Sequence, residues 1–125
     1  MAPPPEVLFG RTYTLADGSQ MRFRLAGPGD GPGVADLLGR ADQTLSELDL
    51  ARLLRSDPRA LVVVCATALL AGRETVLGFA AAPARTGALT GERSLVVVDP
   101  ERAEELRGLL TQALASRLRS AHRAA

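Results

Sequence analysis

Few side chains in this sequence could carry chemistry, and they are scattered. His122 is the only histidine and lies in the C-terminal tail. Tyr13 is the only tyrosine; it stands on the first strand of a hairpin, where we expect its ring to pack and its hydroxyl to sit at the rim. Glu74 falls at a turn between two strands, a solvent-exposed position. Ser94 and Thr67 have no histidine near them in sequence, so a nucleophile–base arrangement has no support. A general acid or base must lie within hydrogen-bond reach of the proton it moves, and no residue here is marked out for that work, so no catalytic residue is assigned. Cys65 is the only cysteine. It lies in the apolar run Leu61–Ala66, which predicts a buried, inert thiol. A single cysteine excludes an internal disulfide and a cysteine-built zinc site. One histidine and dispersed carboxylates give no expected metal site.

The elements that would position these residues follow from patterning. Pro3, Pro4 and Pro5 make residues 1–10 an extended, flexible lead-in. Arg11–Leu15 and Gln20–Leu25 alternate polar and apolar residues on either side of Ala16–Asp17–Gly18–Ser19, and Asp-Gly is a hairpin-turn signal. Gly27–Gly33 is too rich in glycine and proline for regular structure. Pro32 suits the first turn of a helix carrying Val34, Leu37 and Leu38 on one face and ending near Gly39 or Arg40. A second helix is expected from Thr44, because Thr44-Leu45-Ser46-Glu47 has capping-box spacing. Leu50, Leu53 and Leu54 continue it, and Asp57–Pro58 ends it.

Leu61–Leu69 reads as a central strand, Ala71–Glu74 as a turn, and Thr75–Ala82 as the partner strand with a bulge at Gly78. Residues 83–93 read as a loop and Ser94–Val98 as a further buried strand. Asp99 and Pro100 form a cap and first-turn pair. The helix that follows carries Leu106, Leu109, Leu110, Ala113, Leu114 and Leu118 in one apolar stripe, and residues 120–125 should fray. The fold class is therefore α+β in the order β-β-α-α-β-β-β-α. The sheet is mostly antiparallel and covered by helices, in a single domain over residues 11–119.

This order, with the phrases "LADGSQMRFRLAGPGD", "ALVVVCATALLAGRETVLGFAAA" and "SLVVVDPERAEELRGLLTQALASRLRS", resembles the GNAT N-acetyltransferase family up to its signature helix. The resemblance implies acetyl-CoA as co-substrate, held by a loop of pattern Q/R-x-x-G-x-G/A between the fourth strand and the third helix. Glycines there admit the ligand to the backbone, and helix-start amides bind the pyrophosphate. By the resemblance, Val97, Val98, Arg102, Arg107 and Gly108 are the cofactor-binding positions. Arg102 matches the first position of the motif, but Glu105 and Arg107 stand where glycines are expected. A second register puts Gly108 on the last glycine and loses the others. Glu104 and Glu105 would bring negative charge toward a pyrophosphate, at a cost of about 1 kcal/mol per like charge at ~4 Å in water. Asp99 would place its own carboxylate on amides that a phosphate uses. Arg102 and Arg107 have two readings: cations that partly offset this charge, or solvated residues of the helix face, the second carrying more weight.

Acyl-CoA-dependent N-acyl transfer, a non-catalytic GNAT-derived interaction, dimerisation or regulatory module, and a small α/β dimerisation domain unrelated in function all stay open. A complete domain of that family continues past this helix with a strand, a helix and a closing hairpin, and few residues follow the helix here. We therefore expect the edge of the 94–98 strand to be paired, by a second copy or by another protein.

Composition narrows the remaining classes. The net charge of +1 gives no field that argues for nucleic acid or membrane. Only 3% of residues are aromatic, too few for base stacking along a single strand. All 15 basic residues are arginine, and Lys, Asn, Ile and Trp are absent. This usage reads as the bias of a GC-rich bacterial genome and weakens any argument for phosphate binding from arginine content alone. The start lacks the basic and apolar regions of a signal peptide, and no apolar run reaches the ~20 residues of a membrane span. A cytoplasmic protein is expected.

Overall fold

The computed structural model describes residues 12–55, 61–83 and 95–124. Asp17-Gly18 does what the pattern predicts. Gly18 takes φ +89°, a left-handed value that glycine adopts at little cost. The amide of Gly18 donates to the Leu15 carbonyl at 2.9 Å. The turn joins β1 (Tyr13–Thr14) to β2 (Gln20–Leu25). A second tight turn, Ala71–Gly72, has φ of +52° and +78° and joins β3 (Leu61–Leu70) to β4 (Arg73–Pro83). Two consecutive positive φ values match the twist of a two-residue antiparallel hairpin. With β5 (Leu95–Val98) these strands form an antiparallel sheet in the order β1-β2-β3-β4-β5.

Helices cover both faces, so β3 is buried from Val62 to Ala68 rather than alternating with solvent. Its side chains still alternate between faces. Val62, Val64, Ala66 and Ala68 join the core under α3 (Ala103–Ala124), together with Leu106, Leu110 and Leu114. Val63 and Cys65 point the other way, into a second core with Val34 and Leu37 of α1 (Gly31–Arg40) and Leu54 of α2 (Glu47–Leu54). The result is three layers with two apolar seams, the α+β class expected.

Several boundaries differ from the pattern. The glycine-rich run is partly regular: Pro28–Asp30 form a 3-10 turn and α1 begins at Gly31, with proline in its first turn. Helix α2 begins at Glu47, not Thr44. Ser46 is its cap, accepting the Asp49 amide at 3.1 Å. Ser46 offers the same capping oxygen two residues later, with Glu47 and Asp49 placed in the first turn, where acids are favoured. The β4 bulge falls at Leu77, because Ala66 pairs with Gly78 and Thr67 with Val76. Pro83 ends β4 rather than opening a loop. Helical backbone continues to Ala124, beyond the expected fraying point. The lead-in 1–10, Arg11, the Asp57–Pro58 stop, and residues 84–94 with Ser94 lie outside the described residues.

Candidate site at the start of α3

Where β5 meets α3, the chain turns on a single carboxylate. Asp99 continues the sheet by donating its amide to the Leu77 carbonyl at 2.8 Å. Its side chain is buried, and Oδ1 accepts the Glu101 amide at 3.0 Å, capping the 3-10 turn Pro100–Arg102 that leads into α3. Oδ2 accepts from Arg102 Nη1 at 3.0 Å and lies 3.8 Å from Arg40 Nε on α1. Arg40 is anchored by donating Nη2 to the Val76 carbonyl at 2.8 Å.

Arg102 is the second hub. Its side chain is only 15% exposed, which overturns the expectation of a solvated helix-face residue. Besides Asp99 it holds Asp17 of the β1–β2 turn, with Nε at 2.9 Å and Nη2 at 2.7 Å from Oδ2. One residue away the Ala16 amide donates to Glu105 Oε1 at 3.1 Å. Hydrogen bonds from the Ser19 hydroxyl and amide, helped by Arg102, hold the Asp17 carboxyl down at about 2. The turn and the start of α3 border an open cavity of about 540 Å³ lined by Asp17, Glu101, Glu104 and Glu105, with Arg102 among them. Four carboxylates against one arginine make this an acidic hollow, and a dianion brought into it meets like charge at short range.

The GNAT domain of S. lividans PAT, a crystal structure, matches this chain with a TM-score of 0.63 at 19% identity, over 89% of this chain and 72% of that one. The fold is GNAT-like. No family model matches the chain, and no curated protein does.

Within this GNAT-like frame, the residues implied by the resemblance are only partly brought together. Arg102 lines the cavity. Val97 and Val98 are buried in the sheet, one in each core. Arg107 and Gly108 are exposed on α3 and do not line the hollow. Asp99 caps the turn as expected. The Asp17–Arg102 and Ala16–Glu105 contacts span 85 and 89 residues. The only local signal for them was the Asp-Gly turn itself.

The other candidates fall away from the hollow. The Tyr13 hydroxyl is buried with no hydrogen-bond partner, not at a wet rim, and its ring meets Phe23 edge-on at 6.0 Å. Glu74 is exposed as expected, yet it accepts from Arg24 Nη2 at 2.8 Å. Thr67 and Cys65 are buried, and burial pushes the Cys65 thiol up to about 12. That value leaves it protonated and unreactive at neutral pH. The His122 side chain lies outside the described residues. Among the described residues there is no cluster of three potential metal ligands, and no helix is long and apolar enough to cross a membrane.

Proposed function

We propose that this chain is a GNAT-fold interaction module that leaves acyl-CoA unbound at the start of α3. The observation that carries the reading is the state of Arg102. Its guanidinium is taken up by Asp17 and Asp99, and the other oxygen of Asp99 takes the Glu101 amide. Two donors a pyrophosphate would use, the Arg102 guanidinium and the Glu101 amide, are thus engaged by the protein's own carboxylates, and Glu101, Glu104 and Glu105 add charge of the wrong sign. In the isolated chain acetyl-CoA should give no thermal shift even at millimolar concentration. A ligand present at 100 times its Kd would add about 2.7 kcal/mol of apparent stability, so a clear shift would overturn the reading.

That result would favour the second reading, acyl-CoA-dependent N-acyl transfer. It draws its support from the GNAT-like path of β5 straight into α3. Loss of the shift in Arg102→Ala would then assign the site.

The partner contact of the module is the outer edge of β5. Among the described residues β5 pairs only with β4, through Gly78–Val98 to Ala81–Leu95. Its sequence, Leu-Val-Val-Val, carries no charge or proline of the kind that blunts an edge. A second copy pairing there is the simplest occupant. Mass measurement at high micromolar concentration should find a dimer, and a strict monomer would remove self-pairing.

A further inference from the structure

We infer that the β1–β2 turn, Leu15–Ser19, is a strap latched onto α3 by two catches and able to open as one unit while the sheet stays closed. The first catch is the Asp17–Arg102 ion pair, at 2.7 Å. The second is the Ala16 amide on Glu105 Oε1, at 3.1 Å. Together they hold the tip of the turn to the 3-10 turn before α3 and to the first turn of α3 itself.

The rest of the strap is weakly tied. Strand β1 is two residues long and pairs with β2 only at Tyr13–Met21 and Thr14–Gln20. A two-residue strand at a sheet edge contributes little pairing of its own. Ala16, Asp17 and Gly18 are exposed; within the turn only Leu15 reaches the core, at 3% exposure, and Tyr13 before it packs against the same core and stays with the sheet. Such a segment, with few buried contacts and exposed backbone hydrogen bonds, belongs to the low-stability end of a fold. By contrast β3 and β4 are paired along ten positions and covered on both faces.

The catches are coupled through geometry. Ala16 and Asp17 are adjacent in the turn, and Arg102 and Glu105 lie one helical turn apart. Ser19 braces Asp17, donating its amide to Oδ1 at 2.9 Å. When Asp17 leaves Arg102, the turn carrying Ala16 loses the contact that keeps its amide over Glu105. Opening would free Nε and Nη2 of Arg102, leave that side chain with Asp99 and Glu101, and widen the 540 Å³ hollow into a cleft. The strap is a latch that keeps Arg102 engaged and this hollow narrow. It rests on the reading that the protein's own carboxylates, not a ligand, hold Arg102.

Native-state hydrogen exchange tests it on the full chain. The reporter is the Ala16 amide, whose own acceptor Glu105 is untouched in Arg102→Ala and in Asp17→Ala. Both variants should exchange Ala16 about tenfold faster or more, and in Asp17→Ala, which leaves the buried Asp99–Arg102 pair intact, the amides of β3 and β4 should be unchanged, as local opening requires. Added salt should accelerate Ala16 in the wild type and not in Asp17→Ala, because the catch is an ion pair with an exposed partner. Unchanged exchange at Ala16 would overturn the strap, since the catches would then be independent. Acceleration of β3 and β4 to the same degree in Asp17→Ala would also overturn it, since the contacts would then serve global stability. Acetyl-CoA binding by the wild type would defeat the functional reading and leave this exchange result standing.

Discussion

Leu110→Ala should lower stability by about 2–5 kcal/mol, and the loss should shrink when Gly78 is also replaced by alanine. The reason lies in the β4 bulge. Leu77 is the extra residue between the Ala66–Gly78 and Thr67–Val76 pairs. Leu77 packs in the α3 core, and a Cβ built on Gly78 points to the same face, 2.5 Å from Leu110 Cδ1 and 3.1 Å from the Val97 carbonyl oxygen. Two consecutive residues on one side of a strand is what a bulge produces, and only a residue without a side chain leaves room for the helix there. Leu110 is fully buried and fills that room.

Gly78→Ala should itself cost about 1–3 kcal/mol by overpacking, because Leu110 must move within a closed core. In the double variant the truncated side chain on α3 removes the clash with Leu110 and leaves only the close contact with the Val97 carbonyl, so the combined loss should fall below the sum of the two. Urea unfolding of the four proteins measures this coupling. Strict additivity would show that α3 does not rest on Gly78.

Both seams of the fold were legible from sequence, because each rests on a repeating signal. The stripe Leu106, Leu110, Ala113 and Leu114 is the buried face of α3, as helical periodicity required. The continuous run Leu61–Leu69 lies in a strand covered on both sides from Val62 to Ala68, which explains why it shows no alternation. Boundaries were less legible where two residues offered the same chemistry. Thr44 and Ser46 both carry a capping oxygen, and the pattern cannot weigh the turn preceding each. The bulge lies one residue before the glycine that the sequence marks, because the extra residue, Leu77, carries no signal of its own.

For the candidate site, the half close in sequence could be read. Asp99 as a cap and the acids at the start of α3 follow from neighbouring residues. The other half is not legible, because the helical surroundings of Arg102 say nothing of a partner 85 residues away. Its partner Asp17 arrives from the opposite end of the chain, and only the folded sheet with α3 packed on it brings the β1–β2 turn to the start of α3. A motif position identifies which side chain faces a ligand in a family. It does not say whether another part of the fold has taken that side chain first. The same limit applies to Arg24 and Asp30, six residues apart on a strand and a helix start.

Asp30→Asn should cost about 1.5–3 kcal/mol at neutral pH, the range for hydrogen bonds to charged groups. The penalty should then disappear in acid. Asp30 is 9% exposed at the start of α1 and accepts from Arg24 Nη1 at 2.8 Å, Arg24 Nη2 at 2.6 Å and the Gly27 amide at 2.7 Å. Arg24 also reaches Glu74, so β2, the start of α1 and the start of β4 are tied at one guanidinium. Asparagine keeps the shape and one acceptor oxygen but loses the charge and the two-pronged grip. Arg24 is 37% exposed, so water recovers part of the loss and the lower half of the range is expected. The Arg24 guanidinium holds the Asp30 carboxyl below its ordinary range, against the opposing effect of burial. A depressed carboxylate contributes stability that is complete above its unfolded value of about 3.9 and is lost as pH falls through the folded value. Denaturation of wild type and Asp30→Asn should therefore differ at pH 7 and converge as pH drops below about 4. Asp17 and the other carboxylates titrate in both proteins and cancel in the difference. A gap that stayed constant from pH 7 into strong acid would mean that the charge of Asp30 contributes nothing, and that the fold at this corner rests on packing alone.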